Sequence, residues 1–173
     1  MATHIDNTYF VNDIYLPTDE CPDLQTYIDT FEPEILIKIL GYDLYKAYAA
    51  AIAGTPDAKW TDLRDGKDYT SGGIYYHWRG FKNTVKSSLI AYYVFYKYTI
   101  LGMNTNSGLG IKVTNSENSQ LTDKRFVQTY AYNKMVDIIA EMDKFILTTN
   151  SATANTYPNY YPECIRKVNI FNI

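Results

Sequence analysis

The stretch SGGIYYHWRGFKNTVKSSLIAYYVFYKYTILG, Ser71 to Gly102, constrains the fold more than any other part of the chain. Trp78, Phe81, Val85, Ser88, Tyr92, Phe95 and Thr99 recur at alternating steps of three and four, the spacing of one helical face. From Leu89 to Leu101 only Lys97 and Thr99 interrupt an apolar run. A helix wetted on one face keeps a polar stripe; this run has none and is expected to be covered from several sides. It is too short for a membrane span, which takes about 20 residues. Tyr75, Tyr76, Tyr92, Tyr93, Tyr96 and Tyr98 also suit a protein interior, where each hydroxyl can find a partner. The expectation is a central helix over about residues 73–101.

A chain of 173 residues has room for one domain with a real core. Hydrophobic residues make up 46% and charged residues 20%, which excludes a disordered chain. The net charge is −3 and basic runs do not exceed two residues, so general phosphate neutralisation, the basis of nucleic-acid coating, is not expected. Neither sequence-specific nucleic-acid contact nor a membrane partner is expected. The opening MATHIDNTYFVNDIYLP lacks an apolar signal region, and Cys21 and Cys164 are too few for a disulfide framework. The protein is expected to be made in a cytoplasm.

The chain divides into an extended arm (1–18), a helical bundle (19–149) and a tail (150–173). The arm carries a short strand candidate at Tyr9–Leu16. In the bundle, a first helix starts near Pro22 and a second at Pro33, because the residue before a proline leaves the helical region. Gly41 bends the chain before a third helix, which stops at Gly54. Trp60 and Leu63 pin the next loop, with one helical turn and a tight turn at Asp65-Gly66. After the central helix comes a Gly-, Asn- and Ser-rich connection, 102–118, holding a strand-like piece, Leu109-Gly-Ile-Lys-Val113. It is long for a bundle, where two to eight residues are usual. Val127, Ala131, Met135, Ile138, Met142 and Phe145 then form one face of a second long helix, about 119–149. In the tail, Val168, Ile170 and Ile173 alternate with asparagines as in a strand, and such a strand needs a partner edge, from Leu109–Val113, from Tyr9–Leu16 or from a neighbouring subunit.

Catalytic motifs are missing. His4 and His77 lie far apart in sequence, and His77, placed in the central helix, has no metal-ligand spacing around it. Gly108-Leu-Gly lacks the strand–helix unit of a dinucleotide site. Asp62, Asp65 and Asp68 share one loop but are interleaved with Arg64 and Lys67, so a solvated loop is expected rather than a cation site. No enzyme activity, metal or cofactor is expected. The 18 tyrosines fit either core or contact surface.

Three features together resemble the head–tail connector (adaptor) proteins of tailed phages. They are FEPEILIKILGYDLYKAY (Phe31–Tyr48); Trp60-x-x-Leu63 followed by Trp78-Arg-Gly-Phe81 and SLIAYYVFYKY; and the loop with Gly108 and Asn115 ahead of a final long helix. The likeness covers about residues 20–149, a pattern of helices and aromatic positions most similar to ring proteins of crAss-like and other Bacteroidetes phages. It implies a small bundle with a protruding loop or hairpin, a virion structural protein of the neck. It also implies a homo-oligomeric ring, usually dodecameric, between portal protein and tail, with no enzyme activity or cofactor. Carried over, the Gly108–Asn115 loop, with Gly108, Leu109, Ile111 and Val113, would contact neighbours. The tail lies outside the likeness; its own alternation nominates Tyr160, Tyr161, Val168, Ile170 and Phe171 as docking residues. The competing expectation is a helical ligand-binding or regulatory module with an aromatic pocket around Tyr75–Tyr98.

Overall fold

A computed structural model describes residues 3–16, 21, 23–101, 104–107, 110–113, 124–153 and 155–169. The fold is mainly helical, with two small antiparallel hairpins. The helices are α1 (Leu24–Leu40), α2 (Tyr42–Ala53), α3 (Ala58–Asp65), α4 (Leu89–Leu101) and α5 (Lys124–Ala152). The hairpins are β1 (Lys67–Ser71) with β2 (Ile74–Trp78), and β3 (Asn104–Ser107) with β4 (Gly110–Val113).

α4 is the centre of the bundle. Every residue from Leu89 to Phe95 is buried, because α1 and α5 both pack on it. The all-round apolar sequence therefore has its expected consequence. α5 packs along α4 and buries Ala131, Met135, Ile138, Met142 and Phe145, the face expected from spacing. It ends at Ala152, a few residues later than expected; of the expected start, residues 119–123 lie outside the described residues.

The central helix is shorter than expected. Residues 74–78 are a strand, and helix begins only at Leu89. Gly72 and Gly73, with φ of 59° and 79°, supply the two left-handed positions of a tight hairpin turn. Beyond them the period is two: Trp78 and Tyr76 face α5 while His77 and Tyr75 point outward. Tyr76 stacks on Tyr69, and Tyr69 meets Phe145 edge-on with ring centres 5.4 Å apart. Trp78 is fully buried and its indole N–H donates to the Leu63 carbonyl at 3.0 Å. Val85, on the expected helical seam, is 71% exposed. His77 is thus a strand residue, paired with Asp68 at 2.6 Å.

α1 runs straight through Pro33, where a new helix was expected. A proline inside a helix costs about 3 kcal/mol. Ile28, Ile35, Leu36, Ile39 and Leu40 are all buried from this one helix, at about 1.5–3 kcal/mol each, and their combined burial outweighs the break.

The N-terminal segment is neither an arm nor a strand. It forms two 3-10 turns, Asn7–Tyr9 and Asn12–Ile14, and inserts Ile5, Tyr9, Phe10, Ile14 and Leu16 into the core. Its apolar residues lack a regular period because they fill gaps between helices rather than line a single face.

The tail is not a strand over its described part. Residues 160–169 run without regular structure along the bundle. Glu163 N–H donates to the Lys38 carbonyl at 2.8 Å and Tyr161 N–H to the Leu40 carbonyl at 3.3 Å. These carbonyls lie in the last turn of α1, where helical donors run out, so the tail caps the helix instead of extending a sheet. Among the described residues neither of the two internal partners expected for it is used: β4 pairs with β3, and the Tyr9–Leu16 stretch carries 3-10 turns instead of a strand.

Candidate functional site

The residues nominated from sequence fall into two groups. Gly108, Leu109, Ile170 and Phe171 lie outside the described residues. Ile111 and Val113 are on β4, opposite Asn106 and Asn104 of β3. The hairpin occupies the connection between α4 and α5, where a strand-like insert was expected. As a two-stranded sheet it keeps an outer edge on each strand, and neither has a further strand partner among the described residues.

The tail residues are strung along α5. Tyr160 is partly buried; its hydroxyl donates to the Asp143 carboxylate. Burial, then this carboxylate, pushes the phenol up, and burial pushes Asp143 up as well. Lys167 pairs with Asp137 at 2.6 Å. The Asn133 amide clamps Val168, accepting from its N–H at 2.8 Å and donating to its carbonyl at 2.9 Å. Tyr161 remains 85% exposed. From Asp143 to Lys124 is about 29 Å of helix. The structure therefore spreads the nominated residues over a strip and ties part of it, Tyr160 and Val168, to the chain itself.

The sequence reading missed exposed apolar residues where the end of α4 meets the start of α5. Leu101 and Ile100 end α4, and Phe126 and Tyr130 begin α5; all are exposed, Phe126 by 53%. Their signal was available, since Phe126 and Tyr130 are four apart and lie off the buried face that contains Ala131 and Met135.

It also missed His4. His4 is buried, and its backbone N–H donates to both carboxylate oxygens of Glu32 at 2.9 and 3.0 Å. Its Nδ1 is 2.6 Å from Glu32 Oε1 and its Nε2 is 2.6 Å from the Tyr48 hydroxyl. Burial holds the Tyr48 phenol far above its ordinary 10.0, so it stays an O–H donor. This relay borders a cavity of about 240 Å³ between the N-terminal segment, α1 and α2. On another side His4 borders a wider cleft of about 870 Å³, where Asp6 and Asp65 offset Lys82 and Lys86. Sequence spacing could not join residues 4, 32 and 48. The expected aromatic pocket around Tyr75–Tyr98 is partly occupied by the chain: Tyr92 bonds Asp13, Tyr93 bonds Glu34, and Tyr76 lies under Lys144.

The three acids expected in one loop lie instead on α3 (Asp62 and Asp65) and on β1 (Asp68), because the segment folds as a helix and a hairpin strand, and each is paired. Asp62 takes Lys67, Asp65 takes Arg64 and Asp68 takes His77. Among the described residues no group of three His, Cys, Asp or Glu side chains could hold a metal ion. No described helix is long and apolar enough to cross a membrane.

No protein-family model, curated protein or solved structure matches the chain.

Proposed function

We propose that the chain is a subunit of a head–tail connector ring in a tailed-phage particle, seated between portal protein and tail. The observation that carries this reading is the β3–β4 hairpin set between α4 and α5, where the resemblance places the contact loop. A two-stranded hairpin with open edges is a template for a strand from a neighbouring chain. The exposed Leu101 at the end of α4 and Phe126 and Tyr130 at the start of α5 add apolar area where these two helices meet. A hairpin from each copy gripping the next is a heterologous contact, which closes into a ring when the rotation permits. The reading assigns the subunit a structural role, in a dodecamer on the family pattern, without catalysis, cofactor or sequence-specific nucleic-acid contact. Of the tail residues, Tyr160 and Val168 are held within the subunit, and the exposed Tyr161 is the described one left for docking.

The test is quantitative mass spectrometry of purified particles, paired with a variant whose residues 104–113 are replaced by a short glycine–serine linker. A copy number near that of the portal protein, and loss of incorporation in the folded variant, are the expected results. A folded variant that still enters particles at the normal ratio would remove the hairpin from the contact. A protein abundant in infected cells but missing from particles would overturn the connector reading itself.

A further inference from the structure

The described tail runs along α5 toward the start of that helix. Its fixed points come in order: the Tyr160 hydroxyl on the Asp143 carboxylate, Lys167 on Asp137 at 2.6 Å, and Val168 held by both polar groups of the Asn133 amide. Asp143 to Asn133 is about 15 Å of helix, and the tail covers it between Tyr160 and Val168, an advance of about 2 Å per residue. That is well short of the roughly 3.3 Å per residue of an extended strand.

The surface that holds the tail continues past Asn169, the last described residue of the tail. Asn133 and Asp137 line one part of a groove of about 210 Å³, with Lys134 beside them and Tyr130 and Phe126 farther toward the start of α5. Positions 126, 130, 133 and 137 are spaced by four, three and four, so they form a single stripe on the helix. The stripe changes character where the described tail stops. It is polar at Asp137 and Asn133 and aromatic at Tyr130 and Phe126, which are 37% and 53% exposed. The sequence changes at the same place: Arg-Lys-Val-Asn over 166–169 gives way to Ile-Phe-Asn-Ile over 170–173, which lie outside the described residues.

The distances agree as well. Tyr130 is about 4.5 Å and Phe126 about 10.5 Å farther along the helix than Asn133. At the pace of the described tail, Phe171 reaches about 6 Å and Ile173 about 10 Å beyond Val168. An apolar surface stands open at the level where apolar residues of the same chain arrive.

We propose that the Phe126–Tyr130 groove is the seat of this chain's own residues 170–173, with Ile170 and Phe171 against Tyr130 and Ile173 against Phe126. The occupant is the same chain and not a second copy, because the Asn133 clamp on Val168 ends two residues before Ile170. A segment tethered so closely has an effective concentration on the order of millimolar at the groove, and the loop left to close is short. The proposal stands apart from the connector reading, which rests on the β3–β4 hairpin. Among the described residues neither the hairpin nor Leu101 lines the groove, so both stay available to a neighbour.

The test is a double-mutant cycle on the full chain by urea unfolding, at two protein concentrations about a hundredfold apart. One change is Phe126→Ala, at an exposed site where the variant should fold. The other is the pair Phe171→Ser and Ile173→Ser. Each change alone should lower the folding equilibrium constant about fivefold, and Phe126→Ala should cost less than about twofold once the pair is replaced. Leu147→Ala, at an exposed site near the far end of α5, should be additive with the pair. Additive losses from Phe126→Ala and the pair, or no losses, would overturn the proposal, as would equal coupling to Leu147. Coupling seen only at the higher concentration would place a second copy in the groove and overturn it too.

Discussion

The Tyr161 carbonyl oxygen lies 2.9 Å from the position a Cβ on Gly41 would occupy. The tail crosses the junction of α1 and α2 at the one residue that has no side chain to block it, and Gly41 itself sits at φ 82°, ψ 152°, a region nearly reserved for glycine. Helix break, helix cap and tail docking are thus one arrangement.

Gly41→Ala should lower the free energy of unfolding by about 1–3 kcal/mol, from backbone strain alone. Because the new methyl also meets the Tyr161 main chain, the tail should lift. Urea unfolding measures the first effect. Limited proteolysis within 160–169 measures the second, and an uncleaved tail would show that the bundle yields instead.

Asn133→Ala removes both hydrogen bonds to Val168. Both hydrogen bonds are exposed, so global stability should change by about 1 kcal/mol or less. The Val168 amide should exchange markedly faster by NMR. Unchanged protection would mean that the Lys167–Asp137 pair, not the amide clamp, holds this part of the tail.

Phe145→Ala should be the most damaging of these changes. Phe145 is 1% exposed and contacts Tyr69, Trp78 and Tyr157, joining α5 to the β1–β2 hairpin and the tail. Removing a ring from such a site costs about 3–5 kcal/mol. Chemical denaturation tests this, and a cost near 1 kcal/mol would indicate that the hairpin does not depend on α5.

Alkaline pH should unfold the protein cooperatively. Burial raises the phenols of Tyr48, Tyr93 and Tyr157 well above the ordinary 10.0, so the folded state keeps protons that the unfolded chain releases. Their contribution is intact below pH 10.0 and is lost as pH rises beyond it. Tyrosinate absorbance followed with circular dichroism should show these phenols ionising only as helix is lost. Ionisation of every tyrosine with the helices intact would refute their burial.

Acid should act through Glu34. Burial by itself would raise its carboxyl, but hydrogen bonds from Tyr93, Lys38 and Lys97 together hold it below the ordinary 4.5. A depressed acid stabilises the fold above its unfolded value, and that contribution is lost as pH falls from 4.5 through the folded value. Glu34→Gln should flatten stability against pH in this window. An unchanged acid limb would mean that Asp65, held low by Arg64, dominates it.

The sequence by itself determined the parts that depend on local pattern. The apolar run from Leu89 specified a helix buried from Leu89 to Phe95, and the spacing from Ala131 to Phe145 specified the buried face of α5. Trp60 and Leu63 were legible as pins, and both are buried. The strand-like insert before the last helix was legible too, though its partner β3 was not, since Asn-Thr-Asn-Ser carries no strand signal of its own.

Tertiary structure decided the rest, and the reason is the same in each case. Trp78, Phe81 and Ser88 fit helical spacing, yet Gly72-Gly73 turns the chain and α5 offers Trp78 the Phe145 ring and Tyr76 the Lys144 ammonium, so the segment pairs as a hairpin. Pro33 signals a helix start, yet the core holds α1 together on both sides of it. The N-terminal segment and the tail have no period because their partners are distant: Phe10 and Ile14 enter the core, and the tail's amides meet carbonyls at the end of α1. His4, Glu32 and Tyr48 become one relay only where three separate segments meet, and a sequence pattern carries no record of contacts made across the fold.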